Sequence, residues 1–139
     1  MPIRRATLAD LPRLLVIDGG AKRDPTHPAW LRRAIADRST WKLTKRGEIV
    51  GYGVFRRSFF DRWFVESLYV AARRRRQGCA GELLDRLESW AAPREEIWTS
   101  TNRSNRIMRR LLKQRGYVPC GRIDQLDPGD PELIFRKRL

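Results

Sequence analysis

Apolar positions along the chain follow two spacings that alternate several times. At the start, Ile3-Arg4-Arg5-Ala6 reads as a short strand, and Thr7 with Asp10 three residues on resembles a capping box, Asp standing where Glu is usual. A helix is predicted to begin there, with Leu8, Leu11, Leu14 and Leu15 as its apolar stripe and Gly19-Gly20 as its end. Residues 22–28 read as a loop, and the lone histidine in it, His27, is assigned no role. Pro28 suits a first helical turn, after which Trp30, Leu31, Ala34 and Ile35 form the stripe of a second helix. From Thr40 the spacing becomes strand-like: 41–44, a Lys45-Arg46-Gly47 turn, 49–55 and 63–70 predict three antiparallel strands in succession. Ala80, Leu83, Leu84, Leu87 and Ala91 return to helical spacing until Pro93. A strand at 97–100, a helix over 105–115 that stops at Gly116, and strands at 117–123 and 133–138 around a turn-rich loop complete the pattern.

This order mixes hairpins with strand-helix-strand crossovers, which predicts an α+β domain built on a mixed sheet. A length of 139 residues fits a single domain over 1–139, and no linker or internal repeat interrupts it. No apolar run approaches the roughly 18 residues of a membrane span, and Met1-Pro2-Ile3-Arg4-Arg5 lacks the apolar stretch of a secretory signal. A cytoplasmic protein with no membrane partner is expected. The two cysteines, Cys79 and Cys120, lie in no metal-binding spacing, so free thiols and no metal are expected. The formal charge of +14 fits an anionic partner, but a solubility requirement or a compositional bias toward arginine would give the same number.

The strand Glu66-Ser67-Leu68-Tyr69-Val70 runs into Ala71-Ala72-Arg73-Arg74-Arg75-Arg76-Gln77-Gly78-Cys79-Ala80-Gly81, which opens a helix. A helix start leaves backbone N–H groups without partners and carries partial positive charge, so it attracts anions. Small residues at 78, 80 and 81 would let a pyrophosphate reach that backbone, and the arginines add positive field. The same residues would also serve as a solvated basic loop.

Arg75-Arg76-Gln77-Gly78-Cys79-Ala80 resembles the Arg/Gln-x-x-Gly-x-Gly/Ala signature of GNAT superfamily N-acetyltransferases. Asn102-Arg103-Ser104-Asn105, Leu111-Leu112 and Arg115-Gly116-Tyr117 are similar to that family's downstream pattern, and Ile3-Arg4-Arg5-Ala6 and Ile49-Val50-Gly51-Tyr52-Gly53 to its first and third strands. The resemblance implies a sheet of about six to seven mostly antiparallel strands with about four helices, and acetyl-CoA as acyl donor. It assigns the donor site to Arg75, Arg76, Gln77, Gly78, Cys79, Ala80 and Gly81 for the pyrophosphate, and to Leu68, Tyr69 and Val70 for the thioester carbonyl. Asn105 would contact the pantetheine arm or simply cap its helix. Two departures stand out: Arg76 follows the signature Arg where Gly is usual, and Leu112 occupies the position where many members place a tyrosine that protonates the leaving thiolate.

The reaction also needs an unprotonated amine. A lysine-like amine with pKa about 10.4 is almost wholly protonated at neutral pH, a cost of roughly 4–5 kcal/mol. By resemblance Glu66 is the candidate base, and the alternative is an ordinary carboxylate paired with an arginine. The segment 124–132 holds four acids, among them Asp124 and Asp130, and reads either as an acidic rim for a cationic acceptor or as a proline-glycine turn. Trp41, Tyr52, Phe59, Phe60, Trp63 and Phe64 would line an acceptor pocket or pack in the core and hairpins. The expected activity is acetylation of a primary amine of a small molecule or protein. The alternatives are an RNA- or ribosome-associated acetyltransferase, supported by Arg103, Arg106, Arg109, Arg110, Lys113 and Arg115, and a non-catalytic acyl-CoA-binding domain, kept open by Leu112. The sequence leaves a homodimer open.

Overall fold

The computed structural model describes residues 2–139, apart from the side chain of Lys22, and Met1 lies outside it. Twelve elements carry the fold: β1 Ile3–Arg5, α1 Leu11–Ile17, α2 Gly19–Arg23, α3 His27–Ala36, β2 Thr40–Lys45, β3 Glu48–Phe59, β4 Arg62–Val70, α4 Cys79–Ala91, β5 Glu96–Asn102, α5 Arg106–Gln114, β6 Val118–Ile123 and β7 Glu132–Arg138. The seven strands form a mixed sheet in the order β1-β2-β3-β4-β5-β7-β6. β4 and β5 are parallel through Phe64↔Trp98 and Val65↔Thr99, while β1 with β2, β2 with β3, β5 with β7 and β6 with β7 are antiparallel. This is the α+β order expected from the spacing, with four longer helices and one short turn, α2. Among the described residues no helix is long and apolar enough to cross a membrane.

The contacts divide the chain into two compact units, Met1–Phe55 with Ser67–Leu87 and Arg56–Glu66 with Glu88–Leu139. In the first unit, Leu11, Leu14, Ile17, Leu31, Ala34 and Ile35 of α1 and α3 bury their stripes against Tyr52 and Val54 of β3. The opposite face of β3 and β4 carries α4. A side chain at Gly51 would meet the Tyr69 carbonyl at 2.9 Å and Leu83 at 3.3 Å, so only glycine lets β4 and α4 come this close. In the second unit Phe59, Phe64 and Trp98 pack with ring centroids 5.0 and 5.4 Å apart, and Leu112, Tyr117, Ile134 and Phe135 are buried. Hairpin packing thus accounts for Phe59 and Phe64, and Tyr52 is fully buried in the first unit.

Gly19-Gly20 does end α1, and the chain continues from it as a left-handed turn rather than a loop. Gly19, Gly20, Ala21 and Arg23 all have positive φ, 62°, 70°, 44° and 65°. For Ala21 and Arg23 that conformation costs about 1–3 kcal/mol each. Asp18 offsets part of this by accepting the Gly20 and Ala21 N–H groups at 2.8 and 3.2 Å. The loop reading of 22–28 is corrected at its end: α3 begins at His27, Pro28 takes the second helical position, and the histidine is buried.

Candidate active site

In the first unit the end of β4 and the start of α4 form a strand-turn-helix corner. Gly78, φ 79°, precedes α4, whose first intrahelical bond runs from the Glu82 N–H to the Gly78 carbonyl at 2.9 Å. The N–H groups of Cys79, Ala80 and Gly81 open the helix, where the macrodipole favours an anion. Nothing lies within 4 Å of where a Gly78 Cβ would sit, so the space beside it is open. Cys79 turns its side chain into the core, leaving its backbone N–H for a ligand. Of the four arginines, Arg73 and Arg74 are drawn to Glu48, the latter at 3.8 Å, while Arg75 Nε donates to the Val70 carbonyl at 3.4 Å. Arg75, Arg76 and Gln77 are exposed.

Strand alternation orients β4. The Ala71 N–H donates to the Val50 carbonyl of β3 at 2.8 Å, so the backbone groups of Leu68 and Val70 point away from β3. Ser67 and Tyr69 share one face and line a cleft of about 360 Å³, whose other wall is Ala21, Asp24, Thr26, His27, Trp30 and Arg33. Tyr69 stacks on Tyr52 at 5.7 Å and His27 on Trp30 at 5.5 Å. The Tyr52 hydroxyl donates to Asp18 Oδ2, and His27 Nε2 lies 2.7 Å from the same oxygen. Burial first and the bond to Asp18 second push the Tyr52 phenol well above its ordinary pKa. The Thr26 backbone N–H and then its hydroxyl hold the Asp24 carboxyl below the usual carboxylate range.

Glu66, Asn105, Asp124 and Asp130 lie in the second unit. Arg56 engages Glu66 through two nitrogens, Nη2 at 3.0 Å from Oε1 and Nε against Oε2. Asn105 caps α5 by accepting the Met108 N–H at 3.1 Å. Asp130 accepts the Ser104 N–H at 3.0 Å and hydroxyl at 2.6 Å, Asp127 accepts the Asn102 amide at 3.0 Å, and Asp124 pairs with Arg122 at 3.0 Å. These acids therefore pin their own loop. Leu112 is 1 % exposed, so its position presents neither a hydroxyl nor space for one. Among the described residues no cluster of three or more His, Cys, Asp and Glu could hold a metal. Asp18, His27 and the cleft that His27 borders with Trp30 escape sequence reasoning, because the Asp18 carboxylate joins positions nine and thirty-four residues away.

The model of the acetyltransferase (GNAT) family matches residues 8–117, which include the whole strand-turn-helix corner. The chain belongs to the GNAT acetyltransferase family. Among solved structures, a GNAT family acetyltransferase from Bacillus cereus is 28% identical, with TM-score 0.87 over 98% of this chain and 95% of that one. A ribosomal-protein-alanine N-acetyltransferase from Brucella melitensis is 26% identical, with TM-score 0.78 over the full length of both chains. An acetyltransferase from Bacillus anthracis in complex with acetyl coenzyme A shares the fold at 15% identity, with TM-score 0.66 over 72% of this chain and 61% of that one. No curated protein matches the chain.

Proposed function

We propose that this GNAT member transfers the acetyl group of acetyl-CoA to a primary amine of a small molecule or protein, by direct attack of the amine on the thioester. The observation that carries this reading is the open space at Gly78 above the N–H groups of Cys79, Ala80 and Gly81. Those donors and exposed Arg75 and Arg76 would hold the pyrophosphate, with Gln77 beside them. The thioester would lie along β4, where the Leu68 and Val70 N–H groups, directed away from β3, suit a developing oxyanion. Tyr69 would flank it with its ring. With Leu112 at the usual tyrosine position, the CoA thiolate leaves without a dedicated acid and takes its proton from solvent. A thiol pKa of about 8.5 makes it a fair leaving group.

Glu66 is better read as the partner of Arg56, since both its oxygens face that guanidinium. Asn105 is satisfied as a cap and needs no ligand to explain it. The test is calorimetry with acetyl-CoA, followed by mass spectrometry of products after incubation with acetyl-CoA and a metabolite extract. Micromolar binding and an acetylated amine are expected, whereas binding without any product would favour a non-catalytic acyl-CoA-binding domain.

A second reading has its own observation. Arg103, Arg106, Arg109, Arg110 and Lys113 are exposed along α5 and the turn before it, a basic face suited to RNA or the ribosome. Steep loss of RNA binding between low and physiological salt would support it, and the likeness to a ribosomal-protein-alanine N-acetyltransferase supports a protein amine as its acceptor.

A further inference from the structure

The cleft of the first unit holds a proton-accepting pair that the donor site does not use. Asp18 is fully buried at its side chain and accepts from Gly20, Ala21, Tyr52 and His27. A carboxylate can only accept, and the raised pKa of Tyr52 keeps its phenol a donor, so His27 must give Asp18 its Nε2–H. A neutral imidazole has a single N–H, and Nδ1 is then left with a bare lone pair. No described residue bonds Nδ1. It is not sealed either, because among the described residues Thr40 Oγ1 is the side-chain atom that is both enclosed and without a partner. His27 borders the cleft, which places that unsealed lone pair beside what the cleft contains.

We infer that the cleft receives the acceptor amine and that His27, oriented by Asp18, is the general base of the transfer. This rests on the acetyl-transfer reading above. The amine nitrogen attacks the thioester carbon, a C–N bond forms, and the surplus N–H proton passes to Nδ1. The tetrahedral adduct collapses with cleavage of the C–S bond, CoA leaves as thiolate and is protonated by solvent, and imidazolium returns its proton to solvent. Asp18 faces the imidazolium directly and compensates its charge. The other groups around the ring fit this role: Asp24 adds negative charge at the cleft, Arg33 adds positive charge, Tyr52 shares the carboxylate and Tyr69 closes the side toward β4. The left-handed turn that brings Gly20 and Ala21 to Asp18 is a strained conformation of the kind that clusters at active sites.

The chain has one histidine, so nitrogen NMR of the labelled protein reads His27 alone. At the pH of the assay a proton on Nε2 and none on Nδ1 is expected, and a proton found on Nδ1, alone or together with one on Nε2, overturns the inference. Acetyl transfer from acetyl-CoA to alanine amide, spermidine and phenethylamine is then compared for the natural chain, His27→Gln and His27→Ala, with acetyl-CoA affinity measured by calorimetry. Both variants should lose about 100-fold in kcat, the lower end for a lost general base, with acetyl-CoA Kd unchanged. Imidazole in the buffer should restore part of the His27→Ala rate. Wild-type kcat in His27→Gln overturns the inference, and so does a fall in kcat matched by an equal fall in acetyl-CoA affinity. A natural chain that binds acetyl-CoA but acetylates none of the three amines removes the base and leaves the donor site standing. Failure to bind acetyl-CoA removes both.

Discussion

The turn at 75–81 and the cleft around His27 belong to the same compact unit, yet they are built by opposite means. The turn offers backbone: three N–H groups at a helix start, a glycine at φ 79°, and a cysteine turned inward. The cleft offers side chains gathered from α2, α3, β3 and β4 around one buried carboxylate. Backbone recognition suits a pyrophosphate, which is the same in every acetyl-CoA. Side-chain recognition can be altered residue by residue, as an acceptor site requires.

Gly78→Glu should break the first half of this comparison most severely. It places a negative side chain in the open space and an unfavourable residue at positive φ, and acetyl-CoA Kd should rise by at least about 100-fold in a folded protein. Calorimetry that finds Kd unchanged would remove the donor site. Asp18→Asn attacks the second half. With four donors facing an amide that accepts at only one atom, urea unfolding should show a loss of about 3 kcal/mol. Tyr52→Phe removes a single donor to the same carboxylate and should cost about 1 kcal/mol, while the acetyl-CoA affinity holds.

Asp24→Asn should raise the acceptor KM a few fold and leave the acetyl-CoA Kd alone, because its carboxylate borders the cleft and not the turn. Its folded pKa is depressed, so the stability it lends is present above the unfolded carboxylate range and disappears as pH falls through the lowered folded value. A pH titration of unfolding should therefore be flatter on the acid side in the variant. Glu66→Gln should do least, changing kcat by less than about threefold, since the carboxylate is already held by Arg56. A loss near the 100-fold typical of a missing base would move the proton-accepting role to Glu66.

This contrast also governs what the sequence reveals. Small residues at 78, 80 and 81 between an apolar strand and an amphipathic helix leave a readable spacing, because backbone recognition constrains neighbours in the chain. The capping box at Thr7 is as legible, and the Thr7 N–H does donate to Asp10 at 2.8 Å. Residues 18, 27, 52 and 69 meet only through the fold, and no local period connects them. The rule that Gly-Gly stops a helix was right about the stop and silent about a left-handed continuation, which depends on the Asp18 carboxylate accepting from both turn amides. Residue type alone likewise could not tell that Asp130 is occupied by Ser104, or that Glu66 is occupied by Arg56.

The Gly20 amide owes its protection to the Asp18 carboxylate at 2.8 Å, whereas the Ala21 amide divides itself between that carboxylate and the Asp18 main-chain carbonyl at 3.0 Å, and the same carboxylate faces His27. Hydrogen exchange at Gly20 is therefore tied to where the Asp18 carboxylate sits. Deuterium uptake at residue 20 then reports how firmly that carboxylate is held, so this short turn is a built-in gauge of order in the cleft.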